Sequence, residues 1–301
     1  MFKALFKDTP PIIQFVMLVV VICFFAILLS VFTVILIAVK VGTSLNVILE
    51  TQQNLVNYPD LLRGILFFQD LLLFIFPAIV CAWLFSKNYK DYLHIDNPFY
   101  LPTAGWAFLS IVVSVPFVNL TYYLNQQMVL PEALKGLETW MKTNEEINSQ
   151  VLESAFLSDN LGALIISIGI ACVLAGIGEE FMFRGLLQNM FGRFMRNQHA
   201  VIWTVAILFS AIHLQFYGFL PRLLLGAWLG YLLYYTKSIW IPVLAHFTNN
   251  LIGIITMYVF RDSPKELEVA NTIGTGSTWW LAVASLALFV FCWSKVKIIR
   301  N

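Results

Sequence analysis

The sequence predicts an all-α, polytopic membrane protein: a helix bundle of about eight transmembrane helices with an amphipathic interfacial helix. Two features of its composition indicate this class, since 59% of the 301 residues are hydrophobic and only 12% are charged. A soluble domain usually carries about 25% charged residues, so the chain has too little polar surface for a water-exposed protein. The net charge of +1 gives no reason to expect a nucleic acid as a partner. The lipid bilayer is therefore the first expected partner.

Eight apolar runs are close to the length of about 20 residues that a spanning helix needs. They cover residues 11–39, 62–86, 101–124, 160–192, 199–216, 218–236, 239–260 and 278–294. The first run is too long for the core of a signal peptide, so we interpret it as a retained helix. The four cysteines lie inside apolar runs, and we expect small buried hydrophobic residues rather than disulfides or metal ligands.

Residues 130–156 have the pattern of an amphipathic helix, because apolar residues recur mostly three or four positions apart with charges between them. The apolar positions are Leu130, Leu134, Leu137, Met141, Ile147, Val151 and Leu152. Such a helix can lie on the membrane surface, and a solvated linker helix is an equally good interpretation. We expect one membrane domain in three parts: helices and the amphipathic segment over 1–159, a core over 160–260, and a last helix with a cytoplasmic tail over 261–301.

The distribution of basic residues predicts cytoplasmic termini, because Lys and Arg are enriched in cytoplasmic loops. With eight spans both termini share one side, which holds Lys3, Lys7, Lys87, Lys90, Arg193, Arg196, Lys237, Lys295, Lys297 and Arg300. The other side holds Lys40, Arg63, Lys135, Lys142, Arg222, Arg261 and Lys265. We therefore expect an integral membrane protein with both termini in the cytoplasm.

Ionisable residues in the fourth run mark a candidate site, since charges inside a bilayer are costly and suggest function. Glu180 and Arg184 are four residues apart on one helix face and are predicted to pair. Glu179 is rotated by about 100° from Glu180, and a carboxylate in that setting suits a general base or acid. Packing roles for both glutamates are the alternative, and they are less convincing for Glu179.

Two later runs add histidines and an amide at a similar depth. His213 follows Phe209 in the fifth run, and the seventh run contains His246 and Asn250. At 1.5 Å per residue from the nearest basic loops, Glu179, His213 and Asn250 lie about 20 Å deep and His246 about 14 Å deep. A glutamate and a neutral histidine can activate water, and a second histidine with an amide can stabilise an oxyanion. The same Glu/His/His set could also hold zinc with an open position.

These motifs resemble the CPBP family of CAAX proteases and bacteriocin-processing proteins, also called the Abi family, which includes the type II CAAX prenyl endopeptidase. The matching patterns are Glu179-Glu180-x-x-x-Arg184, Phe209-x-x-x-His213 and His246-x-x-x-Asn250. They occur in the family's order within roughly residues 160–260. The resemblance implies an intramembrane endopeptidase, with Glu180, Arg184 and Phe209 in structural support, and the expected location is a bacterial cytoplasmic (inner) membrane.

By motif position, Glu179 would activate the attacking water and His213 would assist it. His246 and Asn250 would form the oxyanion site. This mechanism needs no cofactor, although zinc or another divalent metal is possible because the family is often labelled metalloprotease. A bound zinc would take Glu179, His213 and His246 as ligands. The metal-free form is slightly favoured, since asparagine is a poor zinc ligand, and the expected substrate is a membrane-associated protein or peptide.

Two other function classes fit these features. A non-catalytic scaffold or bacteriocin-immunity factor of the same fold would not need the whole catalytic set. A proton-coupled transporter could use buried carboxylates as relays, but carriers are often built from repeats, and the ionisable residues here cluster in the C-terminal half. Asp70 could line a proton or substrate path, although a hydrogen bond to another helix is the favoured interpretation. Asn119 and Asn249 are interpreted in the same way.

Overall fold

A computed structural model describes residues 3–157 and 160–298, and every regular element in that part of the chain is a helix. The end of the predicted cytoplasmic tail, including Arg300, lies outside the described residues. The main helices are α1 (Pro11–Val41), α2 (Leu45–Gln53), α3 (Pro59–Phe85), α4 (Tyr89–Tyr92), α5 (Leu101–Gln126), α6 (Lys135–Phe156), α7 (Leu161–Phe194), α8 (Gln198–Ala211), α9 (Phe219–Thr236), α10 (Trp240–Val259), α11 (Pro264–Thr272) and α12 (Trp279–Ile298).

Among the described residues, seven helical stretches are long and apolar enough to cross a membrane. They are Pro11–Val41, Pro59–Phe85, Leu101–Gln126, Leu161–Phe194, Phe216–Thr236, Trp240–Val259 and Pro264–Val296. The all-α, polytopic membrane fold is therefore the one that the sequence predicts. The last stretch begins earlier than the predicted run at 278, because α11 precedes α12 with only a short turn between them.

The fifth predicted span, 199–216, is wrong in its length. Helix α8 ends at Ala211, and its 14 residues extend about 21 Å, which is less than the hydrocarbon core of about 30 Å. The helix ends because the His213 side chain bonds back to the Phe209 carbonyl at 2.7 Å and Leu214 has a φ of 52°, outside the α-helical region. His213 therefore lies in a turn after the helix and not within it.

The amphipathic helix predicted over 130–156 is present as α6, which begins at Lys135 after a short 3₁₀ turn. Met141 is buried, whereas Leu137, Ile147 and Leu152 are exposed. Most of its apolar stripe is therefore not covered by the rest of the chain. A location at the membrane surface remains a prediction.

The described residues form two compact units. The first extends to Asp96 and resumes at Gln150–Arg196, so it contains α1–α4 and α7. The second covers Asn97–Ser149 and continues from Asn197, so it contains α5 and α8–α12. Helix α6 begins in the second unit and ends in the first. In the second unit, α5, α9, α10 and α12 pack around small and large apolar residues such as Ala107, Trp228 and Leu232.

Three wide π-helical turns interrupt the spans of the first unit. One is Asp70–Ile75 in α3, and two are Ile168–Leu174 and Phe181–Leu187 in α7. In such a turn the backbone hydrogen bonds reach five residues along the chain, so the helix widens locally, and turns of this kind are frequent at functional sites. The two turns in α7 flank the short α-helical stretch Ala175–Glu180.

Candidate active site

The residues predicted to form the site belong to both units. The first unit holds Glu179, Glu180 and Arg184, all on α7. The second unit holds Phe209, His213, His246 and Asn250, contributed by α8, the turn that follows it, and α10.

Glu180 and Arg184 form the ion pair that their spacing predicts. Arg184 Nη1 donates to Glu180 Oε1 at 2.7 Å, and both side chains are completely buried. The pair spans the beginning of the Phe181–Leu187 turn, so its geometry is that of a widened helix rather than the regular one assumed from the sequence. Burial of two opposite charges together avoids the larger cost of burying either one alone.

Glu179 has a different environment from its neighbour. It is only partly buried, whereas Glu180 is completely buried. The residue before it, Gly178, lies tightly against α3: a Cβ at Gly178 would be 3.1 Å from Phe74 Cβ and 3.4 Å from the Asp70 carbonyl oxygen. The absence of a side chain at Gly178 therefore lets the wide turn of α3 approach α7 directly before Glu179.

Asp70, at the start of that wide turn, is a residue whose place the sequence did not reveal. Its side chain is buried, and it interacts electrostatically with Glu179. The favoured expectation was a hydrogen bond to another helix; the structure places Asp70 near the candidate base instead. Its position in an apolar run was visible in the sequence, but nothing there indicated which residue of α7 it faces.

In the second unit, His213 is held in one tautomer. Its Nδ1 lies 2.7 Å from the Phe209 carbonyl oxygen. A carbonyl oxygen can only accept a hydrogen bond, so Nδ1 carries the hydrogen and the neutral ring has its lone pair on Nε2. The imidazole can therefore accept a proton at Nε2 while its orientation is set by the backbone of α8, the helix that precedes it.

Phe209 contacts both histidines of the second unit. Its ring centroid is 5.2 Å from that of His213 and 5.9 Å from that of His246, with steeply inclined planes in both cases. Phe209 is itself buried, and α9 approaches it closely because a Cβ at Gly226 would be 3.1 Å from Phe209 Cδ1. One packed aromatic ring thus restricts the orientation of both imidazoles.

The amide of Asn250 is oriented by the residue before it. Asn249 Nδ2 donates to Asn250 Oδ1 at 3.1 Å, so the oxygen of Asn250 is an acceptor in this bond and its Nδ2 is the donor end. The expectation that Asn249 bonds another helix is therefore wrong. The same expectation is correct for Asn119, whose Nδ2 donates to the carbonyl oxygens of Ala270 and Ile273.

The segment 212–218, which carries His213, is held by the buried side chain of Asn125 and the partly buried side chain of Arg222. Asn125, from α5, donates to the Phe216 carbonyl at 3.0 Å and accepts from the Leu220 N–H at 2.6 Å. Arg222 donates to the Gln215 carbonyl at 3.2 Å and to Gln215 Oε1 at 2.6 Å. Irregular backbone at membrane depth needs such partners, because lipid supplies none.

Glu145, on the amphipathic helix α6, is part of the same cluster. Its carboxylate accepts a hydrogen bond from the Tyr217 backbone N–H and lies near the Arg222 guanidinium. Burial raises the pKa of Glu145, and both Arg222 and the Tyr217 hydrogen bond oppose this shift without cancelling it. Helix α6 is therefore connected to the His213 segment by one carboxylate.

The donor set for a metal is incomplete within each unit. In neither unit do the described residues bring three His, Cys, Asp or Glu side chains together as a metal-binding group. The described cysteines are all free thiols, and three of them, Cys81, Cys172 and Cys292, are buried. The set Glu179, His213 and His246 therefore remains a prediction for zinc.

Residues 161–252 match the family described as Type II CAAX prenyl endopeptidase Rce1-like. This segment is Rce1-like. The match confirms the resemblance to the CAAX proteases that the three motifs suggest, and it supports an enzyme of the protease class. The Rce1-like segment begins at the first residue of α7 and ends within α10, so it contains every predicted catalytic residue. No curated protein and no solved structure matches the chain.

Proposed function

We propose that the protein is an intramembrane endopeptidase in which Glu179 activates water and His213 assists it. The proposed substrate is a membrane-associated protein or peptide, and a prenylated C-terminal peptide is the first one to test because of the name of the matching family. The observation that carries the proposal is the Rce1-like match over a segment that contains Glu179, His213, His246 and Asn250.

The proposed reaction is direct hydrolysis without a covalent intermediate. Glu179 takes a proton from water as the water oxygen bonds to the peptide carbonyl carbon. N–H groups of His246 and Asn250 donate to the developing oxyanion. The C–N bond then breaks, Glu179 returns the proton to the leaving nitrogen, and the products are a carboxylic acid and an amine.

The environments of the two adjacent acids support this assignment. Glu180 is neutralised by Arg184 in a completely buried pair, whereas Glu179 is only partly buried. In His213, the hydrogen bond from Nδ1 to the Phe209 carbonyl puts the lone pair of the neutral ring on Nε2, the atom that would accept from the same water.

The test compares the wild type with Glu179→Gln, which keeps the size of the side chain but cannot accept a proton. Quantitative proteomics of membrane fractions would seek peptides that are cut only in the wild type, and the purified proteins would then be assayed on those peptides. Glu146→Gln, the same change on an exposed position of α6, is the matched control. We expect Glu179→Gln to fold and to lose cleavage while the control cleaves normally. Cleavage by Glu179→Gln at the wild-type rate would contradict the mechanism. If neither the wild type nor the variants cleave any peptide, a non-catalytic scaffold is favoured.

The same purified protein tests the role of a metal. If the reaction needs no zinc, exhaustive chelation leaves cleavage intact, and elemental analysis finds no stoichiometric metal. If zinc is the activator, chelation abolishes cleavage and substitution of His213 or His246 lowers the metal content. We propose the first outcome, because an amide at position 250 is suited to donate to an oxyanion and is a poor zinc ligand.

A further inference from the structure

An open cleft of about 630 Å³ lies between α3 and α7 within the first unit. Its lining residues fall on one face of each helix: Asp60, Arg63, Gly64 and Phe67 on α3, and Ile166, Gly169, Ile170 and Leu174 on α7. Apart from Asp60 and Arg63 at one end, the walls are apolar. Along α3 the lining extends for about 10 Å. Both helices are candidate spans, so the surroundings of the cleft are lipid.

Two glycines give the cleft its width. A Cβ at Gly169 would have no atom within 4 Å, and one at Gly64 would meet only Leu36 Cδ1 at 3.7 Å. Glycine in a spanning helix usually permits close packing against a neighbouring helix, as Gly178 does here. At Gly169 the space that a side chain would fill is instead empty of protein, and at Gly64 only Leu36 borders it, which leaves a place for another molecule.

Arg63 supplies a cationic group at the end of the cleft. Its side chain is 9% exposed; Nε donates to the Ala155 carbonyl at 2.7 Å and Nη1 donates to Asp60 Oδ1 at 2.9 Å. Nη2 makes no hydrogen bond to a described residue, so two N–H donors of a largely buried guanidinium remain for a ligand. The Asp60 side chain is 84% exposed, so its carboxylate can also bind a cation.

We propose that this cleft binds one aminophospholipid of the bilayer, with the phosphate on Arg63, the ammonium group on Asp60 and an acyl chain between Gly64 and Gly169. Arg63 and Asp60 lie in the first turns of α3, where a lipid head group would be at the end of a span. The neighbouring cation and anion match a zwitterionic head group in charge. Lipid tails are as apolar as the walls of the cleft, so the preference for one lipid over another comes from the head group.

The site has a structural consequence for α7. The lining residues Ile170 and Leu174 belong to the wide turn Ile168–Leu174, which precedes the stretch that carries Glu179. A bound acyl chain would supply packing on a side of this turn where the protein supplies none. This proposal does not depend on the proteolytic function, because it concerns binding only.

The test uses the full-length protein, purified in detergent and depleted of lipid. Phosphatidylethanolamine and phosphatidylglycerol would each be added, with native mass spectrometry to count bound lipids and thermal unfolding to measure their effect. We expect the wild type to bind one phosphatidylethanolamine more tightly than any phosphatidylglycerol and to gain several degrees in Tm. Gly169→Leu fills the cleft and should abolish both effects. Gly105→Leu is the control, because Gly105 is an exposed residue of α5 where an added Cβ would also meet no atom within 4 Å. This variant should bind the lipid and gain in Tm as the wild type does.

A second variant keeps the test independent of any folding defect in Gly169→Leu. Asp60→Asn changes one exposed side chain and should remove the preference for phosphatidylethanolamine over phosphatidylglycerol while a lipid still binds. Equal binding of the two lipids by the wild type would overturn the proposal. So would full retention of the bound lipid in Gly169→Leu, or an unchanged preference in Asp60→Asn.

Discussion

Glu179 and Glu180 are adjacent in the sequence, but their side chains have different environments. The four-residue spacing of Glu180 and Arg184 was sufficient to predict their ion pair, because residues four apart on a helix share a face. The positions of Asp70 and Asn249 could not be predicted in this way. A helical period gives the face on which a side chain lies, but the residue that it meets depends on how the helices pack. Asp70 near Glu179 is a result of that packing, whereas the bond from Asn249 to Asn250 joins adjacent residues of one helix and depends on side-chain conformations that the period does not give.

Removal of one partner from the buried ion pair should destabilise the protein. Arg184→Ala leaves the Glu180 carboxylate buried without its cation, which costs about 3–5 kcal/mol. We expect a lower Tm and a smaller yield of folded protein in detergent. Lys135→Ala breaks the exposed pair with Glu132 and should leave the Tm unchanged. Normal folding of Arg184→Ala with complete loss of cleavage would instead place Arg184 in the catalytic set.

Asn249→Asp should reduce kcat more than it changes KM. The new carboxylate can only accept hydrogen bonds, so the Asn250 amide would turn its Nδ2 toward position 249 and away from the proposed oxyanion. Loss of one such donor lowers the rate by about 10²–10³. The control is Asn119→Asp, which removes donors to two carbonyls outside the site and should affect stability alone. Equal kcat values for the wild type and Asn249→Asp would show that Asn249 does not orient the amide.

The elements were predicted well in kind and less well in extent. The long apolar runs gave the spanning helices and the amphipathic pattern gave α6, because both depend on local periodicity. The early end of α8 depends on distant residues. Asn125 on α5 and Arg222 on α9 bind the backbone and side chains of segment 212–218, and no local signal in the apolar run reveals those partners.

Removal of the hydrogen bond from Asn125 to the Phe216 carbonyl in segment 212–218 should reduce activity without unfolding the protein. Asn125→Asp keeps the acceptor for the Leu220 N–H but loses the donor to the Phe216 carbonyl, so the segment should open more often. We expect lower kcat and faster hydrogen exchange confined to this segment. Ser30→Ala, which removes an exposed hydroxyl bond within α1, is the control. Unchanged exchange in Asn125→Asp would contradict this account.

Glu145 should make the stability of the protein depend on pH. Burial raises its pKa in the folded state, so the folded protein holds this proton more tightly than the unfolded chain does. Its contribution to stability therefore falls as the pH rises from about 4.3, the ordinary value for glutamate, to above the raised folded-state value. Glu145→Gln removes the titration, and its Tm should rise relative to that of the wild type across this range. Parallel Tm curves for the two proteins would exclude the effect.

For the whole molecule, composition and hydropathy were sufficient to predict a polytopic all-α protein, and the order of three motifs was sufficient to suggest the resemblance of residues 161–252 to the CAAX proteases. The number of membrane crossings depends on α8. Seven stretches meet the length of a span and α8 does not. If α8 crosses the membrane, the number of crossings between α4 and α11 is odd, so these two helices lie on opposite sides of the membrane. If α8 does not cross, the number is even and the two helices lie on the same side.

Labelling of single cysteines near Lys90 and Lys265 tests the predicted topology. These residues lie in α4 and α11, and eight crossings put them on opposite sides of the membrane. We expect a membrane-impermeant thiol reagent to label only one of the two positions in sealed cells. The four native cysteines would first be replaced, since Cys23 is exposed. Labelling of both positions from the same side would show that α8 with its following turn does not complete a crossing.

The three wide turns of the first unit determine toward which neighbours the side chains after each turn point. Each turn accommodates one residue more than a regular α-helix does over the same length, so deletion of one residue from Ile168–Leu174 should restore regular winding while the later side chains keep their faces. Closure of the wide turn without a deletion would instead rotate every later side chain on α7 by about 100° relative to the first half of the helix, and Glu179 would no longer face Asp70. The orientation of Glu179 thus depends on the helix type of each turn, which composition and hydropathy do not reveal.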